Sequence, residues 1–190
     1  MIDQVLEYDT QLFLFLNNLG SQPWDGLWLA ITNKFIFGPI LGLLLIFFFQ
    51  KKFGWKGVLV LMIICALMIT FTDQITNVFK RGFQRARPCG NANIFDDMRF
   101  MAVRCGKYGF FSGHSSNSMA VAIFGGLLLR QYYKNIIYGL IVVSFIVAYS
   151  RIYLGVHYPL DIVCGLTFGA ISGYIFYKLA QYFLKRFELQ

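Results

Sequence analysis

Two histidines occur in this chain of 190 residues, and each stands among residues that could handle an anion. In "SRIYLGVHYPLD", residues 150–161, His157 and Asp161 are four apart and Arg151 precedes both. Pro159 fits the first turn of a helix. That turn would carry Asp161 close to the imidazole. A carboxylate behind a histidine fixes its tautomer and leaves the other ring nitrogen free as a nucleophile. The second histidine lies in "FSGHSSNS", residues 111–118. Ser112 is a natural helix N-cap, with Ser115 as a second candidate. Gly113 lets a backbone N–H approach a ligand closely. The free N–H groups of a helix N-terminus form an anion site, and His114 at its mouth could give or take a proton near neutral pH. A third stretch, "KRGFQRARP", residues 80–88, separates Lys80 from Arg87 by six residues. If the chain curls between them, both can grip one anion. The guanidinium fork of an arginine matches a phosphate, and Arg151 is a third candidate ligand of the same kind. Brought together, these groups would hold an anion such as a phosphate beside a nucleophile and a proton-transfer group.

Each stretch also has an ordinary explanation. Basic residues at a membrane boundary reach for lipid head groups. A serine before an apolar run caps a helix, and a histidine near an aspartate at a helix start can be structural. The chemistry therefore depends on elements that bring the three stretches to one place.

Composition says what those elements are. Hydrophobic residues make up 57% of the chain and charged residues 14%, and the mean hydropathy is +0.59. A soluble fold could not cover its surface with so few charges, which points to a membrane protein. Five apolar runs stand out: Leu27–Phe49, Gly57–Phe79, Ser116–Tyr133, Ile136–Ser150 and Leu160–Leu184. Each approaches the length of a spanning helix. The first is interrupted by Asn33 and Lys34, and the fourth is short enough to extend further. Residues Ile2–Leu19 mix Val5, Leu6, Leu12, Phe13, Phe15 and Leu16 with Asp3, Glu7 and Asp9, the pattern of an amphipathic helix lying at the interface. No basic segment precedes an apolar core there, so no cleavable signal is expected. The expected fold is an all-α polytopic membrane helical bundle. About five transmembrane helices and an N-terminal interfacial helix (2–19) make one domain over residues 1–190, with residues 80–115 as its outer loop.

Lys51, Lys52 and Lys56, Arg130 and Lys134, and Lys185 and Arg186 all fall on one side of a five-span arrangement. The positive-inside rule makes that side, and the C-terminus, cytoplasmic. Loop 80–115 then faces outward despite Lys80, Arg81, Arg85, Arg87, Arg99, Arg104 and Lys107 against Asp96 and Asp97. So basic an outward loop suggests an anionic ligand, whereas an inverted topology would strand the other basic segments outside. Cys89 and Cys105 flank this loop and could bridge in an oxidising compartment or remain free thiols. Cys65 and Cys164 read as packing residues. No CxxC or histidine cluster suggests a metal. Gly165, Gly169 and Gly173 form a small-residue stripe that suits close helix packing, more naturally within one monomer than between two.

Order and spacing of the three stretches resemble the type 2 phosphatidic acid phosphatase superfamily, with its motifs K-x6-RP, PSGH and SR-x5-H-x3-D. Here they read Lys80 to Arg87-Pro88, then Ser112-Gly113-His114, then Ser150-Arg151 to His157 to Asp161. Phe111 stands where the family usually has Pro. The resemblance implies that His157 attacks phosphorus, that Asp161 orients it, and that His114 protonates the leaving oxygen. Lys80, Arg87, Ser112, Gly113 and Arg151 would bind the phosphoryl oxygens, with no metal and no cofactor. It also implies a lipid substrate in the bilayer and no nucleic-acid partner. The setting would be the bacterial inner membrane, with the active site on the periplasmic side. Undecaprenyl diphosphate is the favoured substrate at this point, with phosphatidylglycerophosphate, phosphatidate and the phosphates of lipid A as alternatives. A non-catalytic protein holding anionic lipid on its basic loop would explain the charge but not the histidine spacings. A vanadate-dependent peroxidase shares the motifs but is soluble.

Overall fold

Apolar sequence, N-caps and glycines dictate a bundle of helices, and the computed structural model describes it for residues 1–33 and 35–189. The helices are α1 (Ile2–Asn18), α2 (Asp25–Thr32), α3 (Phe37–Phe83), α4 (Gly113–Leu129), α5 (Ile136–Tyr153) and α6 (Pro159–Arg186). Short 3-10 turns cover Gln22–Trp24, Pro88–Gly90 and Phe95–Asp97. No strand occurs among the described residues, only an isolated bridge between Ala86 and Tyr108. Helices α3, α5 and α6 are long and apolar enough to cross a membrane. Helix α4, with 17 residues, is shorter than these and packs on both α5 and α6.

The first apolar run, Leu27–Phe49, is not one helix. Its start belongs to α2 and its remainder to α3. The break is at Asn33, which turns to an extended backbone and accepts the Phe35 N–H on its side-chain oxygen. Asparagine offers the chain this local alternative to helix. Lys34, read with Asn33 as the interruption, lies outside the described residues. Helix α3 in turn bends at Gly54, where φ is 62° and ψ 179°. A side chain is strained in that region, so glycine marks the bend. The two halves of α3 then line a common cavity. The other runs begin or end a few residues from expectation, and α5 does extend beyond Ser150, to Tyr153.

The glycine stripe of α6 is used inside the monomer. A Cβ on Gly165, Gly169 or Gly173 would come within 2.6, 2.2 and 2.5 Å of the carbonyl oxygens of Ser112, Ser116 and Ala120. Backbone therefore lies directly on backbone along α4 and α6, and the start of α4 is fixed to the start of α6. Helix α1 docks by the face carrying Asp9, Phe13 and Asn17, all buried, while Leu12 and Phe15 face outward. The inward face is therefore mixed, Phe13 in the core between the polar Asp9 and Asn17. Asn17 shows why: its amide donates to the carbonyls of Arg99, Ile152 and Tyr153 and accepts the Arg99 N–H at 2.7 Å.

The Gly54 bend, the α4–α5 turn and the end of α6 share one end of the bundle. There Lys52 lies over the rings of Tyr132 and Tyr133, and Phe53 packs on Tyr132. The three motif stretches and α1 occupy the opposite end.

Candidate active site

At that opposite end, α6 begins with Tyr158 as N-cap, Pro159 in the first turn and Asp161 reaching back. One Asp161 oxygen accepts the Tyr158 N–H at 3.1 Å and stands 3.3 Å from His157 Nδ1. The pair is buried. The carboxylate selects the tautomer with the proton on Nδ1 and leaves the Nε2 lone pair free. Burial pushes the His157 pKa down to about 4, against the upward pull of Asp161. The ring is thus neutral at neutral pH, the form a nucleophile needs.

Ser112 is wholly buried and caps α4, its Oγ accepting from the Ser115 N–H and hydroxyl. Its own N–H donates to the Asp161 carbonyl at 3.0 Å. This bond, with the Gly165 contact, registers the second motif against the third. Gly113 and His114 follow at the open N-terminus of α4 and face the cavity.

Lys80, Arg87, His114, Arg151 and His157 all line this one cavity, of about 670 Å³. The Lys80 ammonium has no hydrogen-bond partner among the described residues, while the Lys80 carbonyl accepts the Gln84 N–H at 3.1 Å. Arg151 donates to Thr32 Oγ1, and its buried Nε has no partner among the described residues. Arg87 is held by its Nε, which donates to the Tyr108 carbonyl at 3.0 Å, and by Gly106, whose missing side chain leaves room for the guanidinium. A disulfide joins Cys89 to Cys105 with their Cα atoms 5.9 Å apart. It ties the segment carrying Arg87 to the segment that clasps it. Phe111 is buried against Phe79 and Phe168.

The seven loop cations do not act together. Lys80 and Arg87 enter the cavity, while Arg81, Arg104 and Lys107 are exposed. Arg99 is paired with Asp25 at 2.9 Å. Arg85, which the sequence reading left without a role, bridges Asp161 at 3.0 Å and Asp9 at 2.5 Å and stacks on the Tyr158 ring. Asp9 also accepts the Leu160 N–H at 2.8 Å. Burial raises the Asp9 pKa, while Arg85 and that N–H pull it down. A chain of charge therefore runs from α1 to the histidine: Asp9, Arg85, Asp161, His157. Gly109 was missed as well. A Cβ there would sit 3.0 Å from Asp161 Oδ2, so only glycine leaves the pair undisturbed. The sequence around Arg85 carried no signal that separates it from Arg81. Asp9 gave none beyond an acid on an amphipathic helix.

The apolar part of the cavity continues inward along one face of α3. Successive lining residues there are Lys80, Asn77, Asp73, Ile69, Cys65 and Met62, a gradient from charge to hydrocarbon. Helix α4 repeats it with His114, Asn117, Val121 and Phe124. A charged head and an apolar tail would both be accommodated.

Known proteins are similar to this chain over most of its length. The family model described as PAP2 superfamily matches residues 55–185. A lipid A 4'-phosphatase of Bacteroides thetaiotaomicron is 37% identical over 99% of this chain and 84% of its own length. One from Porphyromonas gingivalis is 33% identical over 95% and 76%. An undecaprenyl-diphosphatase of Sulfolobus acidocaldarius is 27% identical over 88% and 76%, so the lean toward the polyprenyl substrate is not what the more similar relatives favour. The crystal structure of Aquifex aeolicus LpxE superposes with a TM-score of 0.68 at 27% identity, covering 89% of this chain and 94% of that one. The chain belongs to the PAP2 superfamily and is an integral-membrane lipid phosphatase.

Proposed function

We propose that the protein removes the 4'-phosphate of lipid A through a phosphohistidine intermediate. The observation that carries the reading is the single cavity in which the histidines and three cations meet an apolar interior. Among lipids, the choice of lipid A rests on the relative that is 37% identical over nearly the whole chain.

In this reading Lys80, Arg87, Arg151 and the Gly113 N–H bind the phosphoryl oxygens, while Ser112, expected from sequence as a further ligand, is buried behind the cavity wall and serves as the cap of α4. Their charge offsets what develops as phosphorus becomes five-coordinate. His157 Nε2 attacks in line, so a P–N bond forms as the P–O bond to the lipid breaks. Asp161 stabilises the positive charge that grows on the imidazole. His114 gives its proton to the leaving oxygen. It then takes one from a water that attacks phosphorus, breaking the P–N bond and releasing inorganic phosphate. The bound phosphate favours the protonated form of His114 that the first step needs. The end of the bundle holding Lys51, Lys52, Arg130 and Lys185 lies in the cytoplasm, and the site opens on the outer face of the inner membrane.

Purified protein in detergent should release phosphate from lipid A with a kcat/KM about tenfold or more above that for undecaprenyl diphosphate. His157→Ala should lower turnover at least about a thousandfold. Phosphate-labelled lipid should leave an acid-labile label on the wild-type protein and none on the variant. A wild-type protein that leaves lipid A intact would sink the substrate assignment. A labelled His157→Ala variant would sink the nucleophile.

A further inference from the structure

Between the phosphate end of the cavity and its hydrocarbon end lies a polar waist that the phosphatase chemistry does not use. Asp73 and Asn77 on α3 and Asn117 on α4 line it. Asp73 is seven residues before Lys80, about 10 Å along the helix. It is an ionisable side chain within a membrane-spanning helix. Such residues are costly there and mark substrate paths.

The Asp73 carboxylate is held in place. Asn117 Nδ2 donates to its Oδ1 at 2.8 Å, while Thr72 donates to the Asn117 carbonyl oxygen. Both ends of the Asn117 amide are thus fixed. The second Asp73 oxygen has no hydrogen-bond partner among the described residues. Asp73 is also close to the anion site. A Cβ built on Gly113 would lie 3.8 Å from Lys80 Nζ and 3.9 Å from Asp73 Oδ1. A carboxylate there opposes phosphate binding. It has another use if the group attached to the phosphate brings a donor, because an ionised carboxylate can only accept.

We propose that Asp73, steadied by Asn117, accepts a hydrogen bond from a hydroxyl or amide N–H of the sugar ring that bears the phosphate, and so selects glycolipid phosphates. The inference rests on the lipid A reading and adds the residue that recognises the sugar. A polyprenyl diphosphate offers no donor at this depth and would lay methylene groups against the carboxylate. An acylated glucosamine presents hydroxyl and amide donors beside its phosphate.

Asp73→Ala and Asp73→Asn test it, with lipid A and undecaprenyl diphosphate as substrates and vanadate as a probe of the phosphate site alone. Asp73→Asn keeps an oxygen for Asn117 and is the variant least able to disturb the fold. Both should raise KM for lipid A about tenfold with kcat within about threefold. The lipid A to undecaprenyl diphosphate preference should shrink by the same factor, with vanadate inhibition no weaker. An unchanged KM for lipid A with tighter vanadate binding would reduce Asp73 to a counter-charge of Lys80. Equal losses on both lipids would reduce it to a structural residue. Wild-type protein inert toward lipid A would remove the substrate reading, and this inference with it, before any variant is made.

Discussion

The two sides of the cavity are built in opposite ways. Helices α4 and α6 meet backbone to backbone along Gly165, Gly169 and Gly173, and they carry Ser112, His114 and Asp161. The first half of α3 has Gly38 and Gly42 as well, yet a Cβ on either would meet nothing within 4 Å. Ile40 and Leu43 there are exposed, toward what would be lipid. The first side allows almost no adjustment, as the proposed in-line attack requires. The second is a loosely seated wall against which a lipid tail could lie. One residue type has two uses, set by what faces it.

The most severe way to break this contrast is Gly169→Val. Its Cβ would fall 2.2 Å from the Ser116 carbonyl oxygen, a backbone atom that cannot swing aside. Overpacking of this kind costs about 3 kcal/mol or more. The variant should unfold at clearly lower temperature in detergent and lose phosphatase activity against every substrate. A stable, active Gly169→Val protein would show that α4 and α6 are not rigidly registered.

That packed side was the most legible part of the molecule. The glycine stripe, the N-cap at Ser112 and the His157–Asp161 pair are local patterns, each written within a few consecutive turns. What escaped the sequence is non-local. Arg85 meets Asp9 and Asp161, each 76 positions away, and nothing in its own neighbourhood distinguishes it from Arg81 or Arg87. The net basicity of loop 80–115 suggested one anionic ligand, although two of its arginines are spent on internal carboxylates. The apolar run Leu27–Phe49 looked continuous because hydropathy averages over a single Asn33. Helix α1 read as amphipathic, but its buried face combines Phe13 with Asn17 and Asp9, which satisfy loop backbone and arginine.

Arg85 offers an intermediate test, since it links α1 to the packed side. Arg85→Ala leaves two buried carboxylates, Asp9 and Asp161, without their shared cation. Removing one partner of a buried pair costs several kcal/mol at most, and we expect kcat to fall about ten- to a hundredfold. The pH profile separates positioning from simple destabilisation. His157 is held down to about 4 by burial, and the proposed attack needs it neutral, so activity should fall as pH drops through that region. Without Arg85, the Asp161 charge acts on His157 undiluted and favours the protonated ring. The acid limb of kcat/KM should therefore move to higher pH, and Arg85→Lys should restore part of the shift. A drop in kcat with the acid limb unmoved would confine Arg85 to holding α1 in place.

The smallest expected effect is on the loose side. Gly42 lies in a helix, lines the cavity, and has no neighbour within 4 Å of where a Cβ would be. Alanine is the better helix former by about 1 kcal/mol in water, because glycine loses more backbone freedom on ordering. Gly42→Ala should leave the unfolding temperature unchanged or raise it slightly, and turnover of lipid A should stay within about twofold. The same substitution at Gly169 already forces its Cβ onto a carbonyl oxygen. Measured side by side, Gly42→Ala and Gly169→Ala differ only in what stands opposite the added methyl group. Equal destabilisation by the two would mean that the first half of α3 is packed as tightly as α6, and the division into a rigid catalytic side and an adaptable tail side would fail.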